Sequence, residues 1–228
     1  MLQNGKLVVI EGLDGSGKGT QTEMLVESLL QDKIAVRKIS FPNYSSPSSS
    51  LVKMYLAGEF GQSASSVNPY AASAFYAVDR FASFHTDWKQ NYESDALVIA
   101  DRYVTSNMIY QLGKLPTNKW DEYIDWLEDF EYNKMELPKP DMVIFLDMPI
   151  SVSQKLMSGR YQGDESRKDI HERDLNFLEE SAVSARYAAQ KLNWQVIHCA
   201  DDNVPKSIES IHKEIKSKIL TMFEKIGE

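Results

Sequence analysis

Cysteine is almost missing from this chain. Cys199 is the only one in 228 residues, so the chain can form no internal disulfide and no cysteine-based zinc cluster. That agrees with a reducing, cytoplasmic compartment. No stretch approaches the roughly 18 apolar residues of a membrane span, so a membrane is not expected among the partners. The start, MLQNGKLVVIEG, has too short an apolar run for a secretory signal, and it leads into a motif that needs a folded strand. Excess positive charge is lacking too. The formal net charge is −8, a poor basis for binding a nucleic-acid polymer. There is no internal repeat and no long low-complexity tail; SSPSSS at 45–50 reads as a loop. The length suits one domain, 1–228, with a full core and room for a small lid.

What is present is an alternation of strands and helices. Leu7–Glu11 is an apolar, β-branched run that reads as a buried strand, and Thr20–Leu30 carries apolar residues at helical spacing. Ile34–Ile39, Ala96–Ala100, Met142–Leu146 and Gln195–His198 supply four more strands. Helices are expected over Leu51–Leu56, from Pro69 through Ala71–Trp88, over Ser106–Leu112, Trp120–Phe130 and 151–158, then Ile170–Lys191 and Val204–Lys216. Several strands are apolar along their whole length, which is the mark of a parallel sheet covered on both faces. Such sheets bind ligands beyond the carboxyl ends of their strands.

The strongest motif lies there. Gly12-Leu13-Asp14-Gly15-Ser16-Gly17-Lys18-Gly19-Thr20 follows a strand and opens a helix, the context that a phosphate-binding loop requires. Its glycines allow a tight turn, and successive N–H groups with the helix N-terminus form a cradle for anionic oxygens. Lys18 would reach the β- and γ-phosphates of ATP. Gly19 stands where the general motif has the Ser or Thr that meets Mg²⁺; the hydroxyl comes one residue later, at Thr20. No Asn-Lys-x-Asp element is present to read guanine.

Phosphoryl transfer needs positioning and charge neutralisation more than a side-chain nucleophile. Asp101-Arg102-Tyr103 directly follows a strand. Arg102 can clamp a phosphate passing between substrates, and Asp101 can organise Mg²⁺, a water or an arginine. Tyr76 and Arg80 are four apart in a helix and share a face. That fits a ring on a base beside a guanidinium on a phosphate, and equally a core aromatic beside a surface ion pair. Phe41-Pro42 can shape an acceptor pocket or simply end a strand. Residues 158–173, SGRYQGDESRKDIHER, gather Arg160, Arg167, Lys168 and Arg173 around two glycines. They read as a basic lid that closes over ATP, excludes water and brings positive charge to the reaction.

Taken together, Glu11–Gln21, Phe41-Pro42, Phe75–Arg80, Asp101–Gln111 (DRYVTSNMIYQ), Phe145–Pro149 (FLDMP) and the basic segment after it resemble the thymidylate kinase family over nearly the whole chain. The resemblance implies a three-layer P-loop NTPase fold, with a five-stranded parallel sheet flanked by helices and a short lid. It implies transfer of phosphate from ATP to dTMP, giving ADP and dTDP toward dTTP, with Mg²⁺ and a homodimer. Asp14 would hold the acceptor's 3′-hydroxyl and Tyr76 would stack on thymine. Arg80 and Arg102 would meet the nucleotide and its phosphate. Ser106 and Gln111 would border the base and help exclude a 2′-hydroxyl, while Lys18 and the lid handle ATP. Metal contact is assigned to Asp101, directly or through water.

The chain departs from the family at three positions. Tyr44 stands near where many relatives have an arginine after Phe-Pro. Gly15 replaces a loop arginine found in some relatives, which gives weight to Arg160 and Arg167 as catalytic groups. Gly19 completes a Lys-Gly-Thr form that is closer to adenylate kinases. Kinases of AMP, CMP or UMP, and a non-catalytic nucleotide-binding relative, are the competing readings. A deoxynucleoside kinase would need an acid just beyond the second strand, where this chain has FPNYSS.

Overall fold

Leu7, Val8, Val9 and Ile10 are all shielded from water, because strand β1 (Lys6–Gly12) runs through the centre of the sheet. Burying each such side chain contributes about 1.5–3 kcal/mol. The computed structural model describes residues 5–94, 96–160, 170–172 and 174–226. β1 pairs in parallel with β3 (Leu97–Asp101) on one side and β4 (Met142–Asp147) on the other. β2 (Val36–Ser40) lies outside β3, and β5 (Gln195–His198) outside β4. The order is β2-β3-β1-β4-β5, the five-stranded parallel sheet expected from the sequence.

Helices cover both faces, so the strands alternate between two cores. Val8, Ile10, Ile99, Ile144 and Ile197 face α1 (Lys18–Gln31) and α9 (Ile208–Ile226), meeting Leu25, Leu29, Ile211 and Ile215. Leu7, Val9, Val98 and Phe145 face the other way, among Met108 of α5 (Thr105–Gln111), Tyr123 of α6 (Trp120–Glu128) and Ala185 of α8 (Leu175–Lys191). The remaining helices are α2 (Ser50–Leu56), α3 (Pro69–Ser83), α4 (Lys89–Glu93) and α7 (Ile150–Arg160).

Most boundaries agree with the sequence reading to within two residues; larger differences lie at three helices. The helix expected from Ile170 starts at Leu175, where the Asp174 side chain accepts from the Phe177 N–H at 3.0 Å and caps it. The helix expected from Val204 starts at Ile208 and runs on to Ile226. Val204 and Pro205 instead form β7, paired with β6 (Ala200–Asp201). Asp202 and Asn203 both adopt positive φ in the turn between them, a conformation their short polar side chains tolerate. The α-helix expected through Trp88 gives way after Ser83 to a π-helical turn, Phe84–Trp88. A second π turn, Asp129–Lys134, extends α6. Among the described residues no helix is long and apolar enough to cross a membrane.

Candidate active site

The phosphate loop connects the end of β1 to α1. Gly15 has φ +78°, and a Cβ there would lie 2.5 Å from the Ser153 carbonyl oxygen, so this turn requires glycine. Gly17, at φ +86°, caps α1 without any side-chain bond. The first-turn amides therefore remain available to an anion. Lys18 Nζ turns back toward Asp14 at 3.5 Å. Burial, and then the nearby Arg102 charge, lower the Lys18 ammonium from its ordinary range.

Asp14 is the meeting point of the site. Its Oδ1 accepts from Arg102 Nη2 at 2.5 Å, and its Oδ2 accepts from the Tyr110 hydroxyl at 3.0 Å. Burial alone would raise this carboxyl, but the Arg102 and Lys18 charges overcome it and hold Asp14 well below the carboxylate range. Arg102 also lies over the Tyr110 ring, 5.0 Å from its centroid. It has φ +68°, a strained conformation for a long side chain. The turn is fixed from below by the fully buried Glu11, which accepts from the Tyr103 N–H at 3.2 Å, Thr105 Oγ1 at 2.7 Å and Ser106 Oγ at 2.8 Å. Burial raises the Glu11 carboxyl despite these donors and the Arg102 charge.

A cleft of about 440 Å³ opens above these residues. Asp14, Lys18, Phe41, Pro42, Tyr76 and Arg80 line it, as do Asp101, Arg102, Ser106 and Gln111. The structure thus gathers every candidate acceptor residue from four separated stretches of sequence. Tyr44 also lines the cleft. Three groups are unsatisfied: Arg102 Nη1, Asp101 Oδ1 and both amide atoms of Gln111 are buried without a hydrogen-bond partner. Unpaired buried polar atoms are costly, and all three residues border one cavity.

Arg80 is placed less simply. Only 1% exposed, it gives Nε and Nη2 to Glu131, each at 2.6 Å, and Nη1 to the Tyr103 carbonyl at 3.3 Å. The π turn after α6 delivers Glu131, which Asn107 also contacts at 3.2 Å. Asp79 accepts from the Asn43 N–H and from Ser48 Oγ, tying the chain after Phe41-Pro42 to α3. Sequence patterns do not single out Glu131, Asp79, Tyr110 or His171, because their partners lie far away along the chain. Arg160 is the last residue of α7, and its side chain, like all of Arg167, Lys168 and Arg173, lies outside the described residues.

No cluster of three or more His, Cys, Asp or Glu suited to a metal occurs among the described residues. Mg²⁺ fits this site in another way. Gly19 leaves space beside Asp101, where a Cβ would stand 3.6 Å from Oδ2. A hard carboxylate oxygen next to the phosphate loop suits a cation that keeps its waters and arrives with phosphates. Cys199 is buried, and its thiol is pushed up to about 12, which removes it as a nucleophile.

A family model described as thymidylate kinase matches residues 10–215. The thymidylate kinase of Mycobacterium tuberculosis is 35% identical over 189 residues, covering 81% of this chain and 86% of that protein. The human thymidylate kinase is 27% identical over 218 residues, covering 94% and 89%. A solved structure of thymidylate kinase from Candida albicans superposes with a TM-score of 0.67 at 23% identity, covering 96% of this chain and 92% of its own. It shares the P-loop NTPase fold.

Proposed function

The chain belongs to the thymidylate kinase family, and from that premise we propose that it transfers the γ-phosphoryl group of ATP to dTMP, giving ADP and dTDP on the way to dTTP. The observation that carries this reading is the Gln111 amide. Donor and acceptor lie side by side, buried and unpartnered, in the cleft that also holds Arg102. Gln111 stands six residues beyond Thr105 on α5, about 9 Å along the helix. A ligand that satisfies both ends of the cleft carries a phosphate and a hydrogen-bonding base edge.

In this reading the phosphate loop and Lys18 hold the β- and γ-phosphates of ATP. Arg102, braced by Asp14 and Tyr110, offers Nη1 to the acceptor phosphate. Tyr76 stacks on the base, and Phe41 and Pro42 shape the pocket. Ser106, held by Glu11, borders the base beside Gln111. Arg80, neutralised by Glu131, fixes the base end of the cleft. Mg²⁺, when bound, would supply charge neutralisation on the phosphates, and Asp101 would help to hold it, directly or through water. A nucleotide phosphate with a second pKa near ~6 is already mostly dianionic at neutral pH, so no side chain need act as a strong base. The lid, with Arg160 and Arg167, excludes water and brings positive charge to the transferring group.

The same reading takes the active form as a homodimer in the cytoplasm. Leu51 of α2 and Val78 and Phe81 of α3 are exposed apolar residues, and this reading takes them as part of the partner-facing surface. α5 is almost wholly buried within the chain and has no free face to offer.

Calorimetric binding of dTMP, thymidine and AMP tests the assignment of the cleft. Arg102 and Gln111 together predict that dTMP binds most tightly, with thymidine weakened by the missing phosphate and AMP by its base. Equal binding of dTMP and thymidine would contradict the role of Arg102, and tighter binding of AMP would contradict the base assignment.

A further inference from the structure

Behind the cleft wall lies a side-chain cluster that the transfer reaction does not use. Tyr55 of α2 is 1% exposed. Its ring meets Tyr76 edge-on at 6.4 Å and His171 at 5.2 Å. His171 in turn lies nearly parallel to Tyr110, with 5.8 Å between centroids. Tyr76, Tyr110 and His171 line the cleft, whereas Tyr55 stands behind all three.

The Tyr55 hydroxyl is the hub. Lys114, in the short 3-10 turn Leu112–Lys114 after α5, donates Nζ to that hydroxyl at 2.8 Å and to the Val67 carbonyl at 3.3 Å. His171 Nε2 shares a hydrogen bond with the same hydroxyl at 2.8 Å. The Lys114 ammonium also faces two rings, Tyr55 at 5.2 Å and Phe177 at 5.8 Å. It makes no ion pair with a carboxylate among the described residues. An ammonium desolvated in this way costs stability, and burial lowers Lys114 to about 7. Burial and then the Lys114 charge hold the His171 imidazole at about 3. A local cost without a compensating ion pair, one layer behind a binding cleft, is where a functional demand is expected.

We propose that Lys114 and Tyr55 are positioning residues for the acceptor nucleotide, fixing His171 against Tyr110 and bracing Tyr76 so that the aromatic walls of the cleft are set before the acceptor arrives. The effect reaches the phosphate end of the site, because Tyr110 donates to Asp14 and underlies the Arg102 guanidinium. The proposal rests on the reading of this cleft as the dTMP site.

Steady-state kinetics and calorimetric dTMP binding with the full chain test it, using Lys114→Met, Lys114→Arg and Tyr55→Phe. Neither position lines the cleft. In Lys114→Met and Tyr55→Phe the KM and Kd for dTMP rise about tenfold, as loss of one well-placed hydrogen bond allows. The KM for ATP stays within about twofold. Lys114→Arg recovers most of the loss. The Lys114→Met/Tyr55→Phe double variant is no worse than either single one, since both break the same chain. An unchanged dTMP KM in both single variants, or equal rises for both substrates, overturns the proposal. Should Lys114→Met fail to fold, Tyr55→Phe carries the test alone, because it removes only one oxygen. A wild-type protein that turns over no dTMP contradicts the underlying function. Normal dTMP turnover in wild type and variants alike contradicts the positioning role only.

Discussion

Arg80 and Glu131 face each other through two bonds of 2.6 Å in a wall of the cleft, both shielded from water. Burial raises the Glu131 carboxyl, and the Arg80 charge works against that rise. Two desolvated charges are tolerated because each satisfies the other, with the Tyr103 carbonyl and the Asn107 amide as further partners.

Removing one partner leaves the other buried and uncompensated. We expect Glu131→Ala to destabilise the fold by about 3–5 kcal/mol, measured by urea denaturation. Lys119→Ala, which breaks an exposed pair with Glu122, should leave the midpoint nearly unchanged. A small effect of Glu131→Ala would show that Arg80 finds another partner or reaches water.

Arg102 carries the acceptor phosphate in this account. Arg102→Ala should lower kcat with dTMP by about 100-fold to 1,000-fold, the scale of losing one preorganised charge-stabilising group. Arg102→Lys should recover little, because an ammonium cannot contact Asp14 and a phosphate as a planar fork does. ATP binding to either variant, followed by calorimetry, should stay near wild type. A kcat within a few fold of wild type in Arg102→Ala would remove the residue from the reaction.

His171 makes stability depend on pH. The unfolded imidazole takes up a proton near 6.5, and the folded one only near 3. Between those values the unfolded chain binds more protons, so stability is full above about 6.5 and is lost as pH falls toward 3. From pH 7 to pH 5 the loss from this group is about 2 kcal/mol, at about 1.4 kcal/mol per unit below 6.5. His171→Gln should remove that component, seen as a flatter dependence of unfolding free energy on pH. An identical slope in wild type and variant would mean that the folded imidazole protonates freely.

The sheet was legible because its signals are local. The apolar runs of β1, β3 and β4 and the glycine-rich turn after Glu11 each report their own environment, and Gln195–His198 matches β5 to the residue. Lys18, Asp14, Arg102 and Gln111 could be read from short motifs whose context was correct. Glu131 could not, because its role depends on a π turn that departs from helical periodicity and on an arginine 51 positions away. Tyr55, Lys114 and His171 meet only once α2, the turn after α5 and the chain before α8 are packed together. Val204–Pro205 reads in the sequence as the start of a helix, because the turn at Asp202 and Asn203, where positive φ sets the hairpin, is too short to interrupt an apolar pattern clearly.

The most direct test of the central claim is ADP formation from ATP and Mg²⁺ against dTMP, dUMP, UMP, AMP, CMP, GMP and thymidine. The account predicts turnover selective for dTMP, with dTDP as the product and none from thymidine. Turnover with AMP or CMP in preference to dTMP, or phosphorylation of thymidine, would contradict it.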